Sequence, residues 1–403
     1  MKGVLAISVC ALLVSCAPQE KPAESDPVGS TMQESVKGIP TQEAREQGSQ
    51  KLAEKGGAAQ AHAITAGLEW LAIHQSPEGR WRANGFSALC PADDKCTGKG
   101  LASNDIGVTG LALLAMLGNG NTDKVGPYKS QVMSAANWLV GQQDDNGLIG
   151  LIGSLTTMYN HAIATMALSE LSGLGGNKTL RPKVQKAIDY ILKARNPYKV
   201  WRYYPRDGEN DSSVTGWMVM ALTSAKQFDY TIDNKSLKYA QAWYDEVTDQ
   251  STGRVGYRKL GEGSSRPGVL GKTFPASETE ALTALGLCCR IFLGQRPDKD
   301  PILRTAADTI IEKVPTWTKD GRIDLFYWYY GSLATFQMGG KWWRAWSKPL
   351  VATLTDNQVQ EGHAKGSWDP DGVWGSAGGR VATTALAVMS LQVYYRYTKV
   401  IRK

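Results

Sequence analysis

The chain alternates between two kinds of helical segment. One kind is amphipathic: within residues 182–194, apolar side chains from Val184 to Leu192 recur at i, i+3, i+4, i+7 and i+8, which places them on one face. The other kind carries no charge on any face. Residues 108–117, for example, read VTGLALLAML, and such a helix must be buried on all sides. Two layers, with the apolar helices inside and the amphipathic helices outside, satisfy both patterns.

This alternation predicts six helical hairpins. Outer helices are expected near residues 62–75, 130–143, 182–195, 235–248, 301–314 and 342–359, and inner helices near residues 105–118, 159–173, 212–226, 277–293, 324–338 and 380–397. A single hairpin cannot bury its own apolar face, so we expect an all-α fold, a closed (α/α)6 barrel around a central cavity. An open solenoid is the alternative. It requires polar end caps, whereas the last inner segment ends apolar and aromatic.

The N-terminal part of the chain has a different composition. Lys2 precedes an apolar run from Gly3 to Leu13 that is too short to span a bilayer, so residues 1–15 are expected to be a signal peptide. Residues 16–58 are rich in Pro, Glu, Gln, Ser and Lys, which predicts a disordered tether. Residues 59–403 then form one domain that is long enough to bury a sizeable core.

The residues that end the leader, Leu13 to Cys16, resemble the lipobox of bacterial lipoproteins. In that family the cysteine becomes the lipidated N-terminus, so we expect Cys16 to anchor the protein in a membrane. Ala17 is compatible with sorting to the outer membrane, which predicts a position on the periplasmic face of the cell envelope. An ordinary secretory signal peptide with an incidental cysteine is the alternative.

Charge and cysteine content narrow the candidate chemistry further. The 45 basic and 38 acidic residues leave a net charge of +7 without a run of five like charges, so nucleic-acid binding is not expected. Cys90 and Cys96 lie in the loop sequence CPADDKC, and in an oxidising compartment this predicts a small-loop disulfide. No histidine is close to them in sequence, so a metal site is not expected there. Cys288 and Cys289 are expected to be buried free thiols.

Three turns resemble the repeat of the squalene cyclase and protein prenyltransferase superfamily, whose members adopt an α/α-toroid. These turns are residues 67–81, 135–150 and 358–368. The first has the Gln-x3-Gly-x-Trp spacing of the family's QW motif, as Gln75, Gly79 and Trp81; the second has Ile149 for the tryptophan, and the third keeps Gly366 but carries an insertion. A glutamine can bond exposed backbone groups at a helix end, and the aromatic ring can pack against the next hairpin. These residues therefore argue for the fold rather than for an activity.

The resemblance implies a cavity at the N-terminal ends of the inner helices, where squalene-hopene cyclases carry a DxDD motif whose middle aspartate protonates an alkene. Asp105 and Asp211 match only the first aspartate and are interpreted as helix N-caps that could also bind ligand hydroxyls, and Asp211 is in addition a candidate catalytic residue. Glu278 falls at the middle position and is the best candidate for a general acid. A lone carboxyl group, with a pKa of ~4, is a weak donor to an alkene, and Glu280 does not share its helical face. A polar helix start is the alternative for Glu278.

Other polar and aromatic residues mark the starts of inner helices. His161 interrupts an apolar pattern beside Tyr159 and Asn160, and it is either a catalytic base or a structural histidine. Aromatic rings are the second requirement of a cyclase, because a cation over a ring gains about 0.5–2 kcal/mol. The candidate ligand-binding rings are Tyr159, Trp217, Tyr327 and Tyr330. In the aromatic run 326–330, at most two or three rings can face a cavity.

Arg380 opens the last inner helix, and a buried charge there requires a partner such as Asp324, Glu278 or an anionic ligand. The sequence lacks the zinc ligands of prenyltransferases and the Cys-Gly-Glu-Gln thioester string, so no cofactor is expected. Three functions remain open. The protein binds an apolar or amphipathic, isoprenoid-like ligand or a partner without turnover, or it is a terpenoid cyclase that uses Glu278. The third option is a polysaccharide lyase or hydrolase, with His161 or Tyr159 as base and Arg380 against an acidic sugar.

Overall fold

The computed structural model describes residues 38–54 and 56–401. The predicted signal peptide, the predicted lipidation site Cys16 and the first part of the predicted tether, up to residue 37, lie outside the described residues. Within them the outer helices are α2 (Ala58–Ile73), α4 (Lys129–Gly141), α6 (Arg181–Ala194), α8 (Asn234–Val247), α11 (Ile302–Ile311) and α13 (Gly340–Asp356). The inner helices are α3 (Asp105–Gly118), α5 (Thr157–Leu174), α7 (Ser212–Lys226), α10 (Ala281–Phe292), α12 (Leu325–Met338) and α14 (Gly375–Arg396). Two further helices are α1 (Gln42–Glu54) and the short α9 (Val269–Thr273).

The six inner helices form a closed ring. Each packs against the next one along the chain, and α14 packs against α3. Extended pairing among residues 38–54 and 56–401 is limited to two isolated bridges, Gln143 with Ile149 and Thr248 with Val255. The predicted all-α (α/α)6 barrel is therefore confirmed, and the open solenoid is excluded.

Burial of the helices follows the hydrophobic pattern of the sequence. In α3 every residue except Ile106 is buried, because the helix is covered by its two ring neighbours and by the outer layer. In α6 the apolar stripe from Val184 to Ile191 is buried, while its charged face meets solvent. None of the described helices is both long and apolar enough to cross a membrane.

Three glutamines tie the turns after outer helices to the next hairpin. Each donates from Nε2 to the glycine carbonyl of its own turn and to a carbonyl near the start of the next outer helix. The acceptors are Gly79 and Gln131 for Gln75, Gly147 and Lys183 for Gln143, and Gly366 and Ala63 for Gln358, at 2.7–3.3 Å. Gly366 has φ 88°, and a Cβ there would overlap the carbonyl oxygen of Ala66, so the close approach of the turn to α2 requires glycine.

Residues 42–54 form α1, whereas the sequence predicts a tether through residue 58. Arg45 is wholly buried and donates to the carbonyl of Leu117 at 3.0 Å and to Glu170 at 3.1 Å. Arg396 also bonds Glu170, at 3.0 Å, so one buried carboxylate holds two guanidinium groups. These polar contacts hold α1 against the C-terminal ends of α3 and α5. Because the contacts are polar, the sequence of α1 has no apolar stripe from which its burial could be predicted.

Candidate functional site

The N-terminal ends of the inner helices meet at one end of the barrel. Every loop that leads from an outer helix into an inner helix lies at this end, because the six hairpins run in the same direction. We call this end the mouth. Acidic residues stand at the starts of four inner helices there, at Asp105, Asp211, Glu280 and Asp324.

Asp211 caps α7 and is completely buried. Its Oδ1 accepts from the backbone N–H groups of Ser213 and Val214, both at 2.8 Å. Its Oδ2 has no hydrogen-bond partner among the described residues and lies 3.7 Å from Nε of Arg202. Burial raises the pKa of Asp211 to about 6, although the hydrogen bonds to Oδ1 act in the opposite direction. This carboxyl group therefore titrates near neutral pH.

A hydroxyl chain leads from the mouth to Asp211. Ser213 donates from Oγ to Asp211 at 2.7 Å, so its single hydroxyl hydrogen is committed. Tyr159, whose hydroxyl lies 2.5 Å from the same Oγ, must then be the donor in that pair. Burial raises the pKa of Tyr159 well above its ordinary value, and the negative charge of Asp211 makes a smaller contribution in the same direction. The tyrosine therefore remains a protonated donor.

Two tyrosines from loops complete this group of residues. The hydroxyls of Tyr203 and Tyr257 are hydrogen-bonded to each other, and the ring of Tyr203 lies 6.2 Å from that of Tyr159. We call the group made by Tyr159, Tyr203, Asp211, Ser213 and Tyr257 the Asp211 cluster. The sequence pattern does not reveal Tyr203 and Tyr257, because they come from irregular loops without hydrophobic periodicity.

A cavity of about 550 Å³ opens beside the start of α10. Glu280, which lines it, is buried and accepts from Arg254 at 3.0 Å and from Lys313 at 2.9 Å. Two cations therefore neutralise the acid in this cavity.

Glu278 is not among the residues that line this cavity. It is half-exposed and ends the 3-10 turn Ala276–Glu278. The sequence predicts that this inner helix starts at residue 277, but α10 begins at Ala281, because the extended backbone of Thr279 separates the turn from the helix. Glu278 is thus not at a helical position equivalent to the middle aspartate of the cyclase motif.

The remaining acids at the mouth are paired with arginines. The pairs are Asp105 with Arg80 at 3.3 Å, Asp324 with Arg266 at 2.9 Å, and Asp369 with Arg380. The sequence suggests Asp324 or Glu278 as the partner of Arg380; the structure corrects this to Asp369, because Arg266 already holds Asp324. Asp105 also accepts the backbone N–H of Ala83 at 2.8 Å. Asp105, Asp324 and Asp369 are therefore each bonded to other residues of the protein.

His161 and Asn160 connect helices. The Nδ1 atom of His161 accepts the backbone N–H of Ile149 at 3.0 Å, and its Nε2 donates to the carbonyl of Ala187 at 3.1 Å. The ring is fully buried, and burial lowers the pKa of His161 to about 4. Thr109, Thr215 and Thr384 accept the equivalent backbone N–H groups in other repeats. The geometry thus favours the structural interpretation of His161. Asn160 likewise donates to the carbonyl of Ser103, at 2.9 Å.

The predicted aromatic residues do not all face the interior. Trp217 of α7 contacts Tyr330 of α12, with ring centroids 5.5 Å apart, although α10 lies between these helices in the ring. The two rings therefore meet inside the barrel, where the hydroxyl of Tyr330 has no hydrogen-bond partner among the described residues. Tyr327 points outward, because its single hydroxyl hydrogen is shared between the carbonyls of Ile310 and Lys313, each 2.9 Å from the hydroxyl oxygen. This placement corrects the prediction that Tyr327 binds a ligand.

A group of potential metal ligands lies at the edge of the mouth. Cys90 and Cys96 are both free in the structure, so the predicted disulfide is not formed there. His74 and His363 place ring nitrogens beside the two sulfurs. No metal was expected here because no histidine is close to these cysteines in sequence, but the fold brings His363, from the loop before the last inner helix, beside the sulfur of Cys96.

Neither a family model nor a curated protein matches the sequence. Among solved structures, the chain is similar to the type II terpene cyclase MstE from Scytonema in complex with geranylgeranyl dihydroxybenzoate, with 14% identity and a TM-score of 0.55 over 84% of this chain and 97% of that one. It is also similar to the GH76A alpha-1,6-mannanase of Salegentibacter sp. HEL1_6 in complex with alpha-1,6-mannotetrose, with 11% identity and a TM-score of 0.54 over 83% and 98%. An alpha-amylase from Clostridium perfringens aligns at 13% identity and a TM-score of 0.54 over 83% and 97%. At these identities the likeness shows the fold, an α/α-toroid shared by terpene cyclases and glycoside hydrolases.

Proposed function

We propose that the protein is a lipid-anchored periplasmic α/α-toroid that binds an apolar or amphipathic, isoprenoid-like molecule at its mouth. The proposal rests on the positions at which large apolar side chains are exposed to solvent. Among the described residues, ten such side chains lie in the segments that lead from outer helices into inner helices: Leu89, Leu101, Leu151, Ile152, Leu155, Tyr198, Tyr204, Leu260, Val269 and Trp374. We call these ten residues the apolar rim. Concentrated apolar exposure of this kind is typical of a binding surface.

The most exposed part of the apolar rim precedes α5. Leu151 is 88% exposed and Ile152 is 59% exposed, and both are close in sequence to Leu155. α5 also carries Tyr159, the outer member of the hydroxyl chain to Asp211. An apolar surface next to buried polar groups suits a molecule with a hydrocarbon part and a polar head. The head would bond to Tyr159 or to Oδ2 of Asp211, which has no hydrogen-bond partner among the described residues.

The expected anchor supports the same ligand class. Lipidation at Cys16 would hold the protein at a membrane surface, where isoprenoid-like and other amphipathic molecules are concentrated. One of the proteins with a similar fold, MstE, was solved with a geranylgeranyl compound, and another, the mannanase, with a mannose oligosaccharide. These two ligand classes define the arms of the test.

The test compares geranylgeraniol with alpha-1,6-mannotetraose as probes for the full chain. We expect geranylgeraniol in detergent to raise Tm and to change tryptophan fluorescence, and mannotetraose to do neither. The triple variant Leu151→Ser/Ile152→Ser/Leu155→Ser should weaken geranylgeraniol binding at least tenfold. The double variant Val125→Ser/Met133→Ser is the matched control, because both side chains are exposed but lie away from the loops into inner helices. Equal binding by both variants would contradict the proposal.

Asp211 supports a second candidate function, acid catalysis. A fully buried carboxyl group with a pKa of about 6, whose Oδ2 has no hydrogen-bond partner among the described residues, is the kind of group that donates a proton to a substrate at neutral pH. A cyclase or a glycan hydrolase on this scaffold would then use Asp211 rather than Glu278. Incubation with squalene and with a panel of acidic and neutral polysaccharides, followed by mass spectrometry of the products, tests this function.

Matched cap variants make that test specific. Asp211→Asn removes the proton but keeps a good N-cap residue, whereas Asp233→Asn makes the same change at the exposed N-cap of α8. We expect any turnover to be lost in the first variant and kept in the second. Absence of product from every substrate favours binding without turnover.

A further inference from the structure

Four metal-binding side chains meet where the first and the last hairpins touch. His74 caps the C-terminal end of α2, Cys90 and Cys96 lie in the loop before α3, and His363 lies in the loop between α13 and α14. One ligand atom from each residue lies within 4.8 Å of the other three. We propose that these four residues bind a structural zinc ion that crosslinks the first and last hairpins and so stabilises the closed ring. We call them the seam site.

Three sulfur–nitrogen distances in the seam site match those of a tetrahedral zinc site. The Nε2 atom of His74 lies 3.4 Å from Sγ of Cys90 and 3.6 Å from Sγ of Cys96. The Nδ1 atom of His363 lies 3.6 Å from Sγ of Cys96. Zinc bonds of about 2.3 Å to sulfur and about 2.0 Å to nitrogen imply a sulfur–nitrogen separation of about 3.5 Å in a tetrahedron. A tetrahedral set of two sulfurs and two nitrogens is typical of zinc.

Neighbouring groups orient the ligands. The Nδ1 atom of His74 lies 2.8 Å from the carbonyl of Trp70, and a carbonyl can only accept, so Nδ1 carries the hydrogen and Nε2 presents its lone pair to the sulfurs. The backbone N–H of Cys96 points at Sγ of Cys90 at 3.5 Å. Asp94 accepts the backbone N–H of His363 at 2.6 Å and holds the second loop against the first.

The charge balance also fits a buried site. Binding of Zn²⁺ releases the two thiol protons of Cys90 and Cys96, and two thiolates with two neutral imidazoles then leave the site with no net charge. A neutral site agrees with its surroundings, because His74, Cys90 and Cys96 are all buried. Four protein ligands leave no open position for water or substrate, so the ion is structural rather than catalytic.

The seam site lies beside other contacts that close the ring. The backbone N–H of Arg380 donates to the carbonyl of Gly98 at 2.8 Å, and that of Leu101 donates to the carbonyl of Ala377 at 2.9 Å. Zinc would thus fix the loop into α3 against the loop into α14. This role does not depend on what the mouth binds.

Metal content and cobalt spectroscopy test the site directly. The full chain, exported with its own leader and purified in detergent, should carry one zinc ion per molecule in elemental analysis. After removal of zinc under reducing conditions, added Co²⁺ should produce a thiolate-to-cobalt charge-transfer band and the visible bands of tetrahedral cobalt. A Cys90–Cys96 disulfide in the exported protein, detected by mass spectrometry of the unreduced peptide, overturns the proposal. So does an absence of cobalt bands.

Variants assign the ligands. Cys96→Ser and His363→Ala should each lower bound zinc at least tenfold, and a chelator should lower Tm of the parent protein but not of these variants. His62→Ala is the matched control, because His62 is exposed, lies about three helical turns before His74 along α2, and is not one of the four grouped ligands. Full zinc retention by His363→Ala contradicts the assignment. Where a variant does not fold, the cobalt spectrum of the parent protein still decides the matter.

Discussion

The side chain of Gln358, after the last outer helix, donates to the carbonyl of Ala63 on the first outer helix at 2.8 Å. Gln75 makes the same bond to Gln131, at 2.9 Å, between the first and second hairpins. The contact that joins neighbouring repeats is therefore also the contact that closes the ring. The ends of the barrel behave as one more repeat junction.

This equivalence predicts that Gln358→Ala and Gln75→Ala have similar costs. Each removes two hydrogen bonds to backbone carbonyls, and at about 0.5–1.5 kcal/mol for each bond the two together contribute about 1–3 kcal/mol. We expect both variants to lower the free energy of unfolding in urea by that amount. A neutral Gln358→Ala beside a costly Gln75→Ala would mean that the ring is open in solution.

The turn glycine next to Gln358 allows backbone strain to be separated from packing. Gly366 has φ 88° and lies against the carbonyl of Ala66, whereas Gly208 has φ 81° with nothing near its Cβ position. Gly208→Ala should cost about 1 kcal/mol from strain alone. Gly366→Ala should cost clearly more, because it also forces α2 and the turn apart. Equal losses on thermal unfolding would show that the turn does not press on α2.

Asp211 should make stability depend on pH. Its pKa rises from an ordinary 3.8 to about 6 in the folded protein, so folding favours the protonated form. The stability associated with this group is fully present below pH 4 and is lost as pH rises through 6, a loss of up to about 3 kcal/mol. Asp211→Asn should therefore match the parent near pH 4 and exceed it at pH 8.

Denaturant unfolding at the two pH values measures this difference. Asp233→Asn is the control, since it changes an exposed cap without touching a buried carboxyl group. A stability gap between parent and Asp211→Asn that is independent of pH would contradict the environment described for Asp211.

Arg45, Glu170 and Arg396 form a buried group of charges, and we expect substitutions of its members to lower the free energy of unfolding by unequal amounts. Glu170→Gln leaves Arg45 and Arg396 buried without a counter-charge and should cost about 3–5 kcal/mol. Arg45→Met should cost less, because Glu170 keeps its pair with Arg396. It should also make α1 more sensitive to proteolysis, which gel electrophoresis after brief trypsin treatment would detect. Similar losses for the two variants would show that Arg396 alone does not hold Glu170.

Hydrophobic periodicity predicted most of the fold, because in most of these helices the buried positions are occupied by apolar residues and the exposed positions by polar ones. The uncharged stretch at 108–117 belongs to α3, which is buried all round, and the stripe in α6 faces the core, as expected. The pattern failed where burial is polar. α1 is held by the ion pair of Arg45 with Glu170, and a charged residue in a polar segment gives no sign that it is buried.

The candidate site depended more on tertiary contacts than on local pattern. Asp211 and Tyr159 were identified from the starts of inner helices, but only the fold links them through Ser213. Glu278 was predicted to be the general acid because it was placed on the fourth inner helix. That helix, α10, begins only at Ala281, so Glu278 lies before it.

The sequence by itself determined the layers, the order and the all-α character of the barrel, because a helix of given polarity can be buried in only a few ways. The tertiary structure decided which polar side chains meet. His74 and His363 come together beside Cys90 only because the ring closes, and ring closure joins loops from opposite ends of the chain. No local pattern encodes a contact between residues so far apart in sequence.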